Sequence, residues 1–321
     1  MKILYGIQLN GNGHITRSLE LINKLKSVGY EIDVISSGNN SDLDLPFKHK
    51  HFDGLSIFTS DFGSIDWIKT IKNNNIIKLI KDTMLDVSEY DLVISDFEPI
   101  SAWSAKRCGV KSIGIANQYS LLSEKTPKMD GFFSLKFIRN FAPCDEYIAL
   151  SYQKFDDFIY QPFISNYFLM SKVKDDNFFL IYLPSYNLDF ILNEISKFKQ
   201  YNWRVYSNEE NSNQFENIQV VQLNKEGFQR DLINCSGVIT ASGFSTTSEA
   251  LILNKKLWSI PIQNQYEQLS NSLLLNQMGI LTDGFNGDNL TNWLNNYKKV
   301  DYQWKNPIDE ILTKIKSIFE N

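Results

Sequence analysis

The sequence lacks the patterns of a secreted, disulfide-bonded or membrane-spanning protein. Its 321 residues include three cysteines, which lie far apart and form neither a disulfide framework nor a metal-ligand spacing. No apolar run approaches the roughly 20 residues needed to cross a bilayer. Met1-Lys2 leads directly into a predicted strand, so we expect no signal peptide. These absences predict a soluble, cytoplasmic protein.

The sequence also lacks the signatures of common nucleotide-binding folds. No Gly-Lys-Ser/Thr sequence is present, so a P-loop is excluded. The turn at residues 10–13 has Gly-x-Gly-His spacing instead of the six-residue dinucleotide fingerprint, and the strand after it ends in Ser36-Ser37 without an acid for a ribose. A net charge of −5 argues against an overall nucleic-acid footprint.

Strands alternate with helices in both halves of the chain. In a chain of 321 residues, of which 43% are hydrophobic, this alternation predicts two α/β domains, each Rossmann-like with a parallel sheet. Residues 152–174 lose strand periodicity, so we place the domains at 1–160 and 161–321. The last predicted helix, 308–319, could pack back on the first domain.

The first forty residues predict a βαβ unit. A strand at 2–9 is followed by a helix from His14 that Gly29 ends, and then by a strand at 31–36. Pro99 and Gly109 mark the two ends of another helix. The other predicted strands are 92–95, 111–116, 178–183, 203–206, 218–223, 238–240 and 257–260, and the other predicted helices are 187–199, 227–234, 245–253, 266–278 and 289–296.

Residues 239–249 have the pattern of an anion-binding turn. An apolar strand ends at Ser242 and Gly243, a helix opens at Ser245 and Thr246, and Glu249 follows one turn later. Unpaired N–H groups and the positive end of the helix dipole suit a diphosphate at this point. Alternatively, Ser245 caps the helix and Glu249 lies on its polar face.

The residues of this turn resemble a known donor signature. Gly-Phe-Ser-Thr-Thr-Ser-Glu at 243–249 matches the Gly-Trp-Asn-Ser-x-x-Glu of GT-B glycosyltransferases at the same spacing. Pro261 and the run Glu-Gln-Leu-Ser-Asn at 267–271 match the Pro and Asp-Gln-x-x-Asn that follow it. The chain thus resembles the branch that includes the bacterial lipid-linked muramyl-peptide N-acetylglucosaminyltransferase and the UDP-sugar transferases of plants and animals.

The resemblance implies a fold and an activity. The fold is GT-B, with two Rossmann-like domains whose parallel sheets face each other across a cleft. The activity is hexosyl transfer from a nucleotide-diphosphate sugar, UDP-linked by resemblance, onto a glycan, lipid-linked or small-molecule acceptor, with inversion. Neither a metal nor another cofactor is implied, and the phosphate turn has no Asp-x-Asp cluster beside it. A bacterial surface glycan or glycoconjugate would be the product.

Three departures from the family pattern bear on how the donor would be bound. Ala241 replaces a His that many members place against the diphosphate, and Glu267 replaces the usual Asp. Leu223 falls close to where some members have a Trp beneath the base. We therefore expect the phosphate contacts to rely on backbone N–H groups, and the sequence leaves recognition of uracil open.

The resemblance also implies roles for donor-site residues. Glu249 would accept hydrogen bonds from ribose hydroxyls, and Glu267 and Gln268 would hold sugar hydroxyls. Asn271 is the last donor-binding residue of the same signature. Arg17 would help to neutralise the leaving diphosphate, unless it is a solvated helix-surface residue. The residues assigned to the diphosphate and its surroundings are Gly13, Ser242, Gly243, Phe244, Ser245 and Thr246.

His14 is the candidate general base. Inverting transfer needs a group that removes the proton of the acceptor hydroxyl, and imidazole titrates near neutrality. Asp96 and Glu98 follow a buried strand, and strand alternation predicts that both lie on one side. We assign Asp96 to orienting His14 and Glu98 to the acceptor. Alternatively, His14 and both acids cap helices.

The segment 125–141 combines aromatic residues with lysines and an arginine. It is expected to be a core-facing helix with a basic outer surface. Alternatively, it contacts an anionic membrane peripherally, at the inner face of the cell membrane, or lines an acceptor groove.

Two other functions remain open on the sequence. Nucleotide-sugar hydrolases of the pseudaminic acid pathway share the turn Gly-x-Gly-His-x-x-Arg, which residues 11–17 fit. In such an enzyme His14 would activate water. The second alternative is a catalytically idle nucleotide-sugar-binding partner subunit, which would bind the donor without turnover.

Overall fold

The computed structural model describes residues 1–9, 12–38, 45–55, 69, 72–209 and 215–320. These residues form two compact units. The described residues up to Ser165, together with those from Lys305 onward, form the first unit, and Asn166–Trp304 belong to the second. Each unit is built on one sheet of parallel strands. In the described part of the chain, no helix has both the length and the apolar character needed to cross a membrane.

The sheet of the first unit has the strand order β3-β2-β1-β4-β5-β6-β7. Its order reverses between β1 and β4, which are neighbours, with Ile7 in register with Asp96. The strands are β1 Lys2–Gln8, β2 Glu31–Ser37, β3 Lys50–Phe52, β4 Leu92–Asp96, β5 Ser112–Ala116, β6 Glu146–Leu150 and β7 Ile159–Tyr160.

Among the described residues, the α-helices between these strands are α1 Asn12–Ser27, α2 Ile76–Asp82, α3 Pro99–Cys108 and α4 Phe132–Phe141. Right-handed crossovers place α1 on one face of the sheet and α2, α3 and α4 on the other, because the chain moves in opposite directions from β1 to β2 and from β4 to β5. The central strands β1 and β4 are buried along most of their length, as expected for strands covered on both faces.

The sheet of the second unit has the order β10-β9-β8-β11-β12 and reverses between β8 and β11. Its strands are β8 Phe178–Tyr182, β9 Asn202–Ser207, β10 Ile218–Gln222, β11 Gly237–Ala241 and β12 Lys256–Ile260, and its helices are α5 Asn166–Met170, α6 Leu188–Ile195, α7 Lys225–Asn234, α8 Phe244–Ile252, α9 Tyr266–Gln277 and α10 Gly287–Asn296. Trp203, Trp258 and Trp293 are fully buried in its core. By the same crossover rule, α7 and α8 share one face of this sheet.

The last helix, α11 (Ile308–Glu320), belongs to the first unit. Its Ile311, Ile315 and Ile318 are buried at a spacing of four and three residues, which places them on one helix face. The amine of Lys111 donates a hydrogen bond to the carbonyl of Ile318. The chain therefore returns to the first unit after completing the second.

The predicted strands and helices that flank the candidate sites are confirmed to within a few residues. Residues 10 and 11 of the predicted first turn, and 210–214 of the predicted loop 208–217, lie outside the described residues. The sequence pattern missed β3, β6, β7, α2 and α5. β3 has three residues and β7 has two, which is too short for a periodicity to be recognised.

Candidate functional site

The carboxyl edge of the first sheet brings His14 and Asp96 together. β4 ends at Asp96, and His14 lies in the first turn of α1, directly after β1. Because β1 and β4 are the neighbours at which the strand order reverses, both side chains lie at the position where open α/β sheets bind ligands.

Asp96 is the centre of a buried hydrogen-bonded cluster. Its Oδ1 lies 2.8 Å from Nδ1 of His14, and its Oδ2 accepts hydrogen bonds from Nε of Arg17 and from Oγ of Ser18, each at 2.8 Å. Nη2 of Arg17 also donates to Oδ1 of Asp96 and lies 2.7 Å from Nδ1 of His14. All four side chains are buried.

Nδ1 of His14 faces both the carboxylate of Asp96 and the guanidinium of Arg17. With a proton on Nδ1, the imidazole donates to the carboxylate of Asp96, and Nε2 carries the lone pair. A nitrogen held in this way can accept a proton from a hydroxyl group.

Asp96 remains ionised although it is fully buried. Burial opposes its charge most strongly, but the charges of Arg17 and His14 and their hydrogen bonds together hold the pKa of Asp96 below its ordinary value. Arg17 is therefore part of this buried cluster, and the alternative of a solvated helix-surface arginine is wrong. Its predicted contact with a diphosphate stays a prediction.

Glu98 has a different environment from Asp96. Phe97 between them has a left-handed backbone with φ of 51°, which interrupts the strand alternation. Glu98 faces α3, whereas Asp96 faces α1, so the prediction that both lie on one side is wrong. The carboxylate of Glu98 is fully buried and accepts hydrogen bonds from the N–H groups of Ile100 and Ser101. The alternative of a helix cap is thus confirmed for Glu98, and its burial argues against acceptor contact.

The turn after β11 leaves the start of α8 uncapped. Gly243 occupies the N-cap position, and no side chain caps the helix there, so Ser245 is not its cap. Gly243 has φ of −69°, and a Cβ added to it would meet no protein atom within 4 Å. Neither its backbone conformation nor its packing requires glycine. The open space above the N–H groups of this turn suits an anion.

Glu249 lies one turn into α8 and is 8% exposed. Within the described residues, its carboxylate takes part in no hydrogen bond or ion pair. Burial raises the pKa of Glu249 to about 8, and the positive charge of Lys225 opposes that rise. A buried carboxylate without protein donors is costly unless a ligand supplies them.

A family model of glycosyl transferase family 1 matches residues 1–297. The chain belongs to glycosyl transferase family 1. It is therefore a glycosyltransferase, and Glu249 and the uncapped turn lie within the matched region. A search of curated protein sequences gave no match.

Solved structures of glycosyltransferases share the fold of this family member. Spinosyn forosaminyltransferase SpnP is 12% identical over the full length of both chains, with a TM-score of 0.63. UGT89C1 of Arabidopsis thaliana, complexed with UDP, is 14% identical over 98% of this chain and 93% of its own, with a TM-score of 0.57. VinC, in complex with dTDP, is 12% identical over the full length of both chains, also with a TM-score of 0.57. The predicted GT-B fold is confirmed.

In this glycosyltransferase, α9 is hydrogen-bonded to the turn after β11. Nδ2 of Asn271 donates to the carbonyl of Ser242 at 3.0 Å, and Oγ of Ser242 lies 2.8 Å from Oγ of Ser259. Oε1 of Gln268 accepts from the N–H of Ile262 at 3.0 Å. Asn271 thus shapes the backbone of the turn. Gln268 and Glu267 lie in the first turn of α9, where their contact with a sugar stays a prediction.

The glycosyltransferase has an aromatic pair on β8 and α7 that the signature does not include. The rings of Tyr182 and Phe228 lie 5.4 Å apart at 64° and are both half-buried. Phe228 is on α7, one turn after Lys225, and Tyr182 is in register with Thr240 of β11. Tyr182 ends β8 and Phe228 lies in the first turn of α7, and both precede the signature, which begins at residue 243.

The described residues of the glycosyltransferase contain no group of three or more His, Cys, Asp or Glu side chains that could hold a metal ion. Metal independence stays a prediction.

Proposed function

We propose that this glycosyltransferase transfers a hexose from a UDP-linked donor to a hydroxyl group of a glycan, lipid-linked or small-molecule acceptor, with inversion and without a metal or other cofactor. The observation that carries the proposal is Glu249, a buried carboxylate without a protein donor on the same helix as an uncapped amino end. A nucleoside diphosphate offers hydroxyl donors to the carboxylate of Glu249 and negative charge to the amino end of α8.

The donor is held in the second unit. Glu249 accepts hydrogen bonds from the ribose hydroxyls, and the turn Ser242–Thr246 binds the diphosphate through backbone N–H groups and hydroxyls. The ring faces of Tyr182 and Phe228 contact the base in place of the missing Trp at Leu223. Crystal structures of UGT89C1 with UDP and of VinC with dTDP support a pyrimidine nucleoside diphosphate as ligand.

His14 is the general base of the transfer. Its Nε2 takes the proton of the acceptor hydroxyl while that oxygen forms a bond to the anomeric carbon, and the bond to the diphosphate breaks on the opposite side. Asp96 fixes the tautomer and stabilises the imidazolium that forms. Attack opposite to the leaving group inverts the anomeric configuration.

The protein acts in the cytoplasm on a surface glycan or glycoconjugate. This assignment follows from the resemblance to transferases of lipid-linked acceptors and from the basic and aromatic segment 125–141, which would contact the inner face of the cell membrane peripherally.

Donor binding is tested by thermal stabilisation with UDP, dTDP, GDP, CMP and NAD. We expect UDP to stabilise the wild type, and Glu249→Gln to weaken UDP binding by about 1–3 kcal/mol. Glu226→Gln changes an exposed glutamate on α7 and is the matched control, with unchanged affinity. Equal affinity of Glu249→Gln and wild type would remove the ribose assignment.

Turnover is tested with UDP-sugars in the presence and absence of acceptor sugars. We expect His14→Gln and Asp96→Asn to reduce transfer by roughly 10²–10⁴-fold while UDP affinity stays within a factor of two. Release of free sugar at an unchanged rate without acceptor would favour the hydrolase. UDP binding without any turnover would favour the idle subunit.

A further inference from the structure

One face of the first unit exposes apolar and cationic side chains together. The chain crosses the sheet in the same direction from β3 to β4, β4 to β5 and β5 to β6, so α2, α3 and α4 cover one face. On the outer side of α2 and just after it, Ile77 is 81% exposed, Met84 60% and Ile80 55%. On α3 and α4, Trp103 is 37% exposed and Phe137 38%.

Hydrogen bonds join these helices into a continuous surface. Nη2 of Arg107, on α3, donates to the carbonyl of Met84 at 2.7 Å. Oγ of Ser104 donates to the carbonyl of Thr83 at 3.0 Å. Nε1 of Trp103 donates to the carbonyl of Asn140, on α4, at 3.2 Å. We call the outer side of α2, α3 and α4, together with Met84, the α2–α4 surface.

The charge of the α2–α4 surface is opposite to that of the whole protein. The full chain has 32 lysines and arginines against 37 acids. Residues 72–84, 99–108 and 132–141 contain one acid, Asp82. Their cations are Lys72, Lys78, Lys81, Lys106, Arg107, Lys136 and Arg139.

The cations lie among the exposed apolar side chains. The amine of Lys106 lies 5.1 Å from the ring centroid of Trp103, and Lys78 and Lys81 flank Ile80 on α2. Lys78 is paired with Asp53, whereas Lys81, the other cation on α2, has no acid partner among the described residues. Aliphatic side chains next to lysines, with an indole at their edge, are the composition of a helix surface that enters the interface of an anionic bilayer.

We propose that the α2–α4 surface binds anionic lipid membranes. Ile77, Ile80 and Met84 enter the boundary between headgroups and acyl chains, and the cations pair with headgroup phosphates. A nucleic acid would use the cations but would leave the aliphatic side chains in water. This inference rests on the membrane contact of 125–141 in the proposed function, and it is independent of nucleotide binding and of sugar transfer. It extends the predicted membrane contact of 125–141 to α2 and α3.

The test is co-sedimentation of the full chain with vesicles. One set contains phosphatidylglycerol and phosphatidylcholine, and the other contains phosphatidylcholine alone. We expect binding to the anionic vesicles at low salt, at least about fivefold weaker binding to the neutral vesicles, and loss of binding at high salt.

The variants separate the two contributions. Ile77→Asn and Lys81→Glu change exposed side chains, and each should reduce binding to anionic vesicles by about fivefold or more. The matched controls are Met170→Asn, an 87% exposed methionine in the second unit, and Lys316→Glu, an exposed lysine on α11. Both controls should bind like the wild type. Thermal unfolding and UDP binding of each variant show that the fold and the donor site are intact.

Three results would overturn the inference. They are absence of binding to any vesicle, equal binding to both kinds of vesicle, and equal binding by all variants. Retention on DNA by a protein that binds no vesicle would assign the cations to nucleic acid. None of these results bears on the donor site, because failure of the proposed function would instead appear as absence of UDP binding.

Discussion

Glu249 has a stability cost that accords with its proposed binding function. The folded chain buries its carboxylate and gives it no donor in the described residues, and burial raises its pKa to about 8. The same side chain is available for two hydroxyl groups of a ligand. Such residues lower the free energy of unfolding, and proteins retain them where binding requires them.

Glu249→Gln should therefore stabilise the protein in a pH-dependent way. The folded wild type keeps a proton that the unfolded chain releases above 4.5. Because the folded state binds more protons, its free energy of unfolding falls as pH rises from about 4.5 to about 8. The glutamine variant has no such proton to lose. Its free energy of unfolding should therefore exceed that of the wild type only slightly at pH 5, and by on the order of a few kcal/mol at pH 8. Urea unfolding at both pH values measures it, and an equal difference at both would contradict the burial argument.

Gly243→Ala should affect binding without affecting the fold. Its φ of −69° is accessible to alanine, and the added methyl group meets no protein atom within 4 Å. We expect unchanged or slightly higher stability, by up to about 1 kcal/mol, and weaker UDP binding because the methyl group occupies the ligand's space.

The control is Gly109→Ala, where space is also open but φ is 69°. It should lower stability by about 1 kcal/mol and leave UDP affinity unchanged. Calorimetric titration with UDP and thermal unfolding distinguish the two glycines. Unchanged UDP affinity of Gly243→Ala would remove the diphosphate from this turn.

The helix α3 depends on Glu98 for its start. The carboxylate accepts from the N–H groups of Ile100 and Ser101 and from Oγ of Ser37 at 2.6 Å. Glu98→Ala should lower the free energy of unfolding by about 1–3 kcal/mol and leave the KM for the acceptor unchanged. Asn224→Ala, which removes the cap of α7, is a matched change in the second unit. A raised KM with unchanged stability would restore the acceptor role of Glu98.

The elements around both sites could be predicted because each is a local pattern. β11 and α8 are recognised from an apolar run, small residues and a helical period, and Pro99 and Gly109 mark α3 directly. His14 and Asp96 are 82 residues apart, and their pairing followed from placing both at strand ends.

Three features were not predictable from local patterns. Burial of Arg17 depends on the position of Asp96, which the helix period does not reveal. The separation of Asp96 from Glu98 depends on the left-handed backbone at Phe97, an uncommon conformation for an aromatic residue. The short edge strands β3 and β7 form because neighbouring strands offer unpaired backbone groups.

The first unit is assembled from two separate parts of the chain. Ile311 and Ile315 of α11 are fully buried in it, and Ile318 nearly so. Ending the chain before Lys305 exposes the surface that these side chains cover, at a cost of roughly 1.5–3 kcal/mol for each isoleucine. We expect the shortened protein to unfold at lower temperature in the first unit, whereas the affinity for UDP, whose proposed site is in the second unit, stays the same.

Hydrogen exchange of β1 and β4 compared with β8 and β11 measures this difference. Equal loss of protection in both units would contradict it. A milder variant, Ile315→Ala, should give a smaller effect in the same direction, of about 2–5 kcal/mol.

Because α11 completes the first unit from the carboxyl end of the chain, it also affects the order in which the two units fold during translation. The residues of β1 to β7 leave the ribosome first, but the helix that completes their core follows about 7–30 s later, after the second unit has been translated. During that interval the second unit, which is continuous in sequence, can fold, while the earlier half still exposes an apolar surface. Chaperones that shield such surfaces on nascent chains would therefore act on the amino-terminal half, which is made first and completed last.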